Sequence, residues 1–206
     1  MYAAVARSEG LSVTDEEMCG LMREAHARLA RELRGAWRYE LAWFSFLIEE
    51  VFLNALGLKR GRLREVQGAL FAKFRDPASF QVLPGAFELQ ADLARWGVRM
   101  AVISNWSEDL HVLLTALGLS RPLEFTLTSA EERCEKPDME IFGRALERAG
   151  VSPENALHVG DSPRNDYDGA RATGMDALLV GADDGSGRRH VADLFDASRT
   201  LSEYLL

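Results

Sequence analysis

The chain has 206 residues, of which 47% are hydrophobic, 27% charged and 9% aromatic, a balance typical of an ordinary globular protein. This composition excludes a disordered, collagen-like or disulfide-stabilised chain. The formal net charge of −8 predicts repulsion from nucleic acid and from anionic membranes, so we expect neither as a partner.

The first 80 residues show helical patterns only. Thr14 and Glu17 form a capping box, which predicts the start of a helix that ends at Gly35. The predicted helices cover residues 15–33, a segment from residue 41 to a close at 54–57, and residues 63–74. We expect the aromatic residues of this region to form a bundle core, and residues 1–80 to form a helical module.

From residue 84 onward, helices alternate with short, apolar strands. The predicted helices cover residues 86–96, 108–117, 138–149 and 167–172. The predicted strands cover residues 98–103, 124–128, 156–159 and 177–180. Strands that alternate with helices on short connections form a parallel sheet with helices on both faces. Residues 81–206 are therefore predicted to form one three-layer, Rossmann-like α/β domain.

The two cysteines, Cys19 and Cys134, belong to no pattern that could bind zinc, which favours a reduced, cytoplasmic protein. Residues 1–10 contain no apolar signal-peptide core. The most hydrophobic stretch, residues 41–48, is too short to span a membrane. The sequence thus predicts a cytoplasmic location.

Polar side chains follow the predicted strands, where open parallel sheets bind their ligands. Ser104 and Asn105 end the first strand, and a hydroxyl there can bind an anionic oxygen beside backbone N–H groups. Helix capping is the alternative role for Ser104, but Ser107 supplies the better cap. Lys136 precedes Pro137 near a helix N-terminus, a costly place for a cation unless an anion lies between them. A solvated surface lysine is the alternative.

Asp161 and Asp166 share one loop after the third strand, so their carboxylates can converge on a hard cation such as Mg²⁺. Turn and cap chemistry is the alternative. With Ser104 and Lys136 also at strand ends, we favour metal binding. The set predicts a cavity for phosphate plus magnesium, with hydroxyl and amide donors, an ammonium group and a carboxylate-held cation.

The order and the residues of these motifs resemble those of the haloacid dehalogenase-like hydrolases that carry a helical cap. The resemblance rests on residues 102–105, 136–138 and 158–166, which look like the second, third and fourth motifs of that family. It implies a helical cap over residues 1–80 and a Rossmann-like core over residues 81–206.

By this resemblance, Ser104 and Asn105 would hold the phosphoryl group of a small phosphorylated substrate. Lys136 would neutralise that group together with the nucleophile, and Asp161 and Asp166 would bind or orient Mg²⁺. The acid pair favours a phosphatase, because the family's 2-haloacid dehalogenases work without a metal.

The family's first motif, a strand that ends in Asp-x-Asp-x-Thr, has no counterpart in this sequence. We therefore expect the first core strand and the nucleophilic Asp to be missing, with negligible turnover by the family mechanism. Loss of about five buried strand residues would forfeit on the order of 10 kcal/mol, which is comparable to the whole stability of a domain. We therefore expect an N-terminally truncated or inactive form: either the native gene product is longer at its N-terminus, or this chain is a fragment or variant of poor stability.

Two classes of function remain from the sequence: a magnesium-dependent phosphomonoesterase, and a non-catalytic module that keeps the fold for binding. A receiver-type phospho-acceptor domain is disfavoured, because its acid pair precedes the hydroxyl and the lysine. Dinucleotide binding is disfavoured because the G-x-G-x-x-G turn is absent.

Overall fold

The chain forms two compact units, Met1–Phe80 and Gln81–Leu206. The first unit is helical, and the second contains the described strands. The computed structural model describes residues 1–33, 37, 39, 41–183 and 185–205. None of the helices in these ranges combines the length and the apolar character that a bilayer crossing requires.

The described part of the helical unit consists of α-helices that continue into short irregular turns. The α-helices are α1 (Tyr2–Ser8), α2 (Asp15–Glu32), α3 (Leu41–Ile48) and α4 (Leu63–Arg75). α3 continues as a π-helix over Glu49–Ala55, and 3-10 turns cover Arg60–Arg62 and Pro77–Ser79.

The start of α2 has the predicted capping box. The Glu17 N–H donates to Thr14 Oγ1 over 3.1 Å, and the Thr14 N–H donates to Glu17 Oε2 over 2.7 Å. The predicted stop at Gly35 lies outside the described residues. α1 was not predicted, because Met1 precedes it and offers no capping side chain to mark the start.

One apolar cluster, with contributions from α1 to α4, forms the core of the helical unit, and Phe52 at its centre is fully buried. Phe44 packs against this cluster, with its ring 4.8 Å from that of Phe71 and 6.3 Å from that of Tyr2. These aromatic side chains pack as a bundle core. Phe46 is the exception, since its side chain is exposed.

The α/β unit follows the predicted alternation of strands and helices. Its strands are β1 (Met100–Ser104), β2 (Leu123–Thr128), β3 (Leu157–Gly160), β4 (Asp176–Val180) and β5 (His190–Val191). Its helices are α5 (Ala86–Arg95), α6 (Leu110–Ala116), α7 (Ser129–Glu132), α8 (Met139–Ala149), α9 (Gly169–Ala172) and α10 (Leu194–Leu205). A π-helical turn over Pro163–Asp168 leads into α9. The α/β class is confirmed, whereas β5, α7 and α10 were not predicted.

The parallel strands form two sheets, of order β1-β2 and β3-β4-β5. Within the described chain, β1 and β3 each pair along one edge only. The middle residues of β4 are buried, as expected for a strand with neighbours on both sides, whereas every residue of β3 is only half-buried. The single doubly covered sheet expected from the alternation of elements is therefore divided, and among the described residues β1, β2, β3 and β5 are all edge strands.

The two sheets share part of one core, because Ile103 of β1 packs against a cluster that includes Phe142 of α8 and Ala177 of β4. Both sheets are parallel, so all strands of each sheet end at one edge. The residues that follow β1 and β3 are held close to each other at these carboxyl ends.

Candidate functional site

The predicted site residues lie in three segments of the α/β unit. Ser104 ends β1 and Asn105 follows it, Lys136 lies in the loop between α7 and α8, and Asp161 and Asp166 follow β3. Asp166 is buried and Asp161 is exposed, while the other three are half-buried. The sequence placed the two aspartates in one role, but their environments differ.

Asn105 joins the end of β1 to the Lys136 loop through two hydrogen bonds. Its Nδ2 donates to the Lys136 carbonyl oxygen over 2.9 Å, and its Oδ1 accepts from the Lys136 N–H over 2.8 Å. A primary amide can donate and accept at the same time, which a carboxylate or an ammonium cannot. Asn105 therefore fixes the backbone of Lys136, and the second N–H of its amide is not used in these two hydrogen bonds.

Asp166 is the centre of a buried polar cluster. Its Oδ1 lies 2.5 Å from Lys136 Nζ and 3.0 Å from His158 Nε2, and its Oδ2 accepts from the Ser162 N–H over 2.9 Å. The side chains of Lys136, His158 and Asp166 are 13%, 11% and 6% exposed. We call Lys136, His158, Ser162 and Asp166 the Asp166 cluster.

The cluster keeps Asp166 ionised. Burial raises the pKa of this carboxyl group, but the hydrogen bonds from His158 and Lys136, the Lys136 charge and the Ser162 N–H together outweigh burial. The pKa of Asp166 therefore lies well below its usual range. An anionic Asp166 holds the Lys136 ammonium at the carboxyl ends of the strands.

The turn after β3 aims Asp166 into the cluster. Ser162 Oγ accepts from the Asn165 N–H over 3.2 Å, and the Asp166 N–H donates to the Ser162 carbonyl over 2.9 Å. Gly160 provides the space: a Cβ atom at this position would lie 2.3 Å from Asp166 Cγ. Glycine is required here because the carboxylate occupies the volume of a side chain.

His158 and Gly160 are members of this site to which sequence reasoning assigned no role. The available signal was the period of two in β3, which turns residues 158 and 160 to the same face of the sheet. Since Asp166 fills the space next to Gly160, a polar side chain two residues earlier meets the same carboxylate. The His158 ring also packs edge-on against Phe142, with centroids 5.2 Å apart.

The two carboxylates of the predicted acid pair differ in what they could offer a divalent cation. Both oxygens of Asp166 accept hydrogen bonds within the cluster, whereas the Asp161 carboxylate is exposed at the end of β3. Among the residues that the structure describes, no three His, Cys, Asp or Glu side chains converge as a metal site. Mg²⁺ commonly binds through one or two carboxylates plus water and substrate phosphate, so Asp161 fits such a shared site.

Comparisons with known proteins converge on one family. A protein-family model described as haloacid dehalogenase-like hydrolase matches residues 11–174. Haloacid dehalogenase-like hydrolase domain-containing protein 3 of Mus musculus is 35% identical over 185 residues, covering 87% of this chain and 73% of that protein.

Two further proteins resemble most of the chain. Glyceraldehyde 3-phosphate phosphatase of Methanothermobacter thermautotrophicus is 31% identical over 197 residues, covering 88% of this chain and 79% of that protein. The crystal structure of a HAD phosphatase from Thermococcus onnurineus matches with a TM-score of 0.65 and 25% identity, over 97% of this chain and 86% of that one.

Proposed function

Because the chain belongs to the haloacid dehalogenase-like hydrolase family, we propose that it is a magnesium-dependent phosphomonoesterase scaffold for small phosphorylated substrates. The observation that carries the proposal is the buried pair of Lys136 and Asp166 at the carboxyl ends of the strands. The similarity to a protein named as a glyceraldehyde 3-phosphate phosphatase supports a phosphate monoester as substrate. The free thiols of Cys19 and Cys134 support a cytoplasmic location.

The chain's own residues would bind the phosphoryl group from two sides. The Lys136 ammonium uses one N–H on Asp166, so its other N–H groups can bind anionic oxygens. Ser104 is the last residue of β1, and Asn105 ties the end of this strand to the Lys136 backbone, so Ser104 lies at the same carboxyl edge. A lysine held by a buried carboxylate is preorganised, which makes its charge effective at little cost in side-chain entropy.

Mg²⁺ would be held by Asp161 and by the substrate itself. Bound there, the ion would supply positive charge to the phosphate oxygens. Asp166 would act on it only indirectly, through the turn that carries both residues, since its oxygens are engaged. We therefore propose different roles for the two aspartates, with Asp161 as the ligand and Asp166 as the anchor of Lys136.

Covalent catalysis by a carboxylate needs an oxygen that the substrate can reach. Asp166 does not fit this role, because it is buried and three of its lone-pair positions already accept hydrogen bonds. The open edges of β1 and β3 offer a place for the missing group, since a parallel strand paired there would end beside Lys136. We propose that the nucleophilic carboxylate belongs to such a strand. Without it, the chain of 206 residues should hydrolyse substrate negligibly.

Hydrolysis of an aryl phosphate in the presence of Mg²⁺ tests this proposal. The printed chain is compared with the same chain preceded by a strand of about five apolar residues that ends in Asp-x-Asp. We expect background hydrolysis from the first and turnover from the second, lost when the first added Asp is replaced by Asn. Efficient hydrolysis by the printed chain would contradict the proposal.

Binding of inorganic phosphate, measured by calorimetry, tests the role of the Asp166 cluster separately. Lys136→Met should abolish binding, whereas Lys73→Met should not change it, because Lys73 is an exposed residue of α4. Phosphate binding that survives Lys136→Met would place the anion site elsewhere.

The alternative function is a non-catalytic module that binds phosphorylated ligands. Both Asp166 oxygens accept hydrogen bonds, which favours this alternative. The cluster could then bind an anion through Lys136 but contains no free carboxylate to act as a nucleophile. An extended chain that binds phosphate with unchanged affinity yet hydrolyses nothing would support this alternative over the phosphomonoesterase.

A further inference from the structure

We propose that His158 is a positioning residue, which fixes the Asp166 carboxylate and through it the Lys136 ammonium. The inference rests on the proposed function, because it concerns the same phosphate-binding edge. It starts from the observation that the largely buried side chain of His158 contacts the carboxylate of the cluster over 3.0 Å.

The direction of this hydrogen bond follows from the charge of Asp166. An ionised carboxylate only accepts, so His158 donates the hydrogen on Nε2. The donation goes to Oδ1, the same oxygen that accepts from Lys136. With the Ser162 N–H on Oδ2, both ends of the carboxylate are held and it cannot rotate about its terminal torsion.

Packing against Phe142 also fixes the orientation of the His158 imidazole. The ring of Phe142 meets the His158 ring at 90°, and Phe142 is fully buried in α8, the helix that begins just after the Lys136 loop. The ring therefore links the cluster to a rigid helix. Gly160 leaves space for the Asp166 carboxylate, and His158 contacts that carboxylate over 3.0 Å.

The consequence concerns the flexible Lys136 side chain. Lysine is a point charge on a four-carbon stem, and its position is set by its partner. If Asp166 can rotate, the ammonium moves with it, and part of its preorganisation for a phosphate oxygen is lost. Loss of His158 should therefore weaken anion binding even though His158 does not contact the anion.

The test compares His158→Met, which removes the donor, with His158→Gln, which places an amide N–H near the position of Nε2. His158→Asn, whose amide is shorter, is a second variant in case the Met variant does not fold. His111→Met in α6 is the control, because His111 is exposed and remote from the cluster in sequence and element.

The first readout is the NMR signal of the Lys136 ammonium. The chain has only three lysines, at positions 59, 73 and 136, and the other two are exposed. We expect a slowly exchanging Lys136 signal in the wild type, in His158→Gln and in His111→Met, and its loss in His158→Met and His158→Asn.

The second readout is the affinity for inorganic phosphate. We expect His158→Met to weaken it about tenfold, as for loss of one charge-assisted hydrogen bond, and His158→Gln to restore it to near the wild-type value. A Gln variant that behaves like the Met variant would overturn the inference, because packing of the ring would then be its only role. A Met or Asn variant that keeps both the Lys136 signal and the affinity would also overturn it.

The two proposals fail differently. If no protein, including the wild type, binds phosphate, yet the Lys136 signal still depends on His158, the proposed function is wrong and the positioning role is supported. If phosphate binds and Lys136 is required but His158 is not, the proposed function stands and the positioning role is wrong.

Discussion

In the helical unit, buried side chains from α1 to α4 form one apolar cluster, whereas the α/β unit has two smaller clusters, and Phe142 of one of them packs against His158 of the Asp166 cluster. The described ion pairs of the helical unit, such as Arg62 with Glu9, have an arginine that is about half exposed or more. Exposed pairs contribute little to stability. The pair of Lys136 and Asp166 is almost fully buried.

This difference teaches that the two units lose stability for different reasons. Burial of a charge is costly unless it is paired, so removal of one partner from a buried pair leaves the other uncompensated. The helical unit should respond mainly to changes in packing and helix propensity. The α/β unit should respond most strongly to changes at the Asp166 cluster.

The largest effect is expected from Lys136→Met. Asp166 would keep the hydrogen bonds from His158 and Ser162 but lose its counter-charge, and we expect a loss of about 3 kcal/mol in the free energy of unfolding. Lys73→Met, on the exposed face of α4, should change it by less than about 0.5 kcal/mol. Urea unfolding of both variants measures the difference. Equal losses would contradict the contrast between the units.

Gly160→Ala should have the next largest effect. The new methyl group would lie 2.3 Å from Asp166 Cγ, so the carboxylate must leave its place, and we expect a loss of about 1–3 kcal/mol. Gly143→Ala in α8 is the matched control, because nothing lies within 4 Å of its added methyl group.

The control should be stabilised by about 0.5–1 kcal/mol, since alanine favours a helix interior over glycine. Thermal unfolding of the two variants should therefore show shifts of opposite sign. A Gly160→Ala variant as stable as the wild type would show that the carboxylate does not need this space.

Acid should weaken the α/β unit through Asp166. Because the folded-state pKa of Asp166 is lowered, its contribution to stability is complete above the unfolded-state pKa of about 3.9 and is lost as the pH falls below it. Amide exchange at pH 5 and at pH 3 should show β3 and β4 losing protection more than α2. Asp166→Asn should remove this extra pH dependence, and an unchanged slope in that variant would assign the acid response to other groups.

The smallest effect is a gain of stability in the helical unit. Gly68 lies within α4 and has nothing within 4 Å of an added methyl group. Gly68→Ala should therefore raise the free energy of unfolding by about 0.5–1 kcal/mol, with no effect on phosphate binding. A loss of stability would mean that α4 needs glycine at this position for close packing.

Much of the fold could be predicted because strong local signals mark it. The capping box at Thr14 marked the start of α2, and apolar, β-branched runs marked β1 to β4. The elements that were missed lack such signals. β5 contains only His190 and Val191, too few residues to show a period, and the π-helix over Glu49–Ala55 looks in sequence like a continuation of α3.

The residues of the candidate site also fall into those that the sequence could predict and those that it could not. Position after a strand pointed to Asn105, Lys136 and Asp166, because the chemistry of strand ends can be read from order along the chain. The roles of Gly160 and His158 depend on which side chains meet across a turn, which sequence order does not contain. Burial distinguishes Asp166 from Asp161, and the two have the same side chain.

The open edges of β1 and β3 also bear on the electrostatics of the neighbouring cluster. Unpaired peptide groups at a strand edge hydrogen-bond to water, and water close to a charge pair raises the effective dielectric constant between its charges. A strand seated along either edge would displace that water and strengthen every charge interaction at the strand ends. The same strand would then complete the backbone hydrogen bonds of the sheet and increase the affinity of the site for an anion.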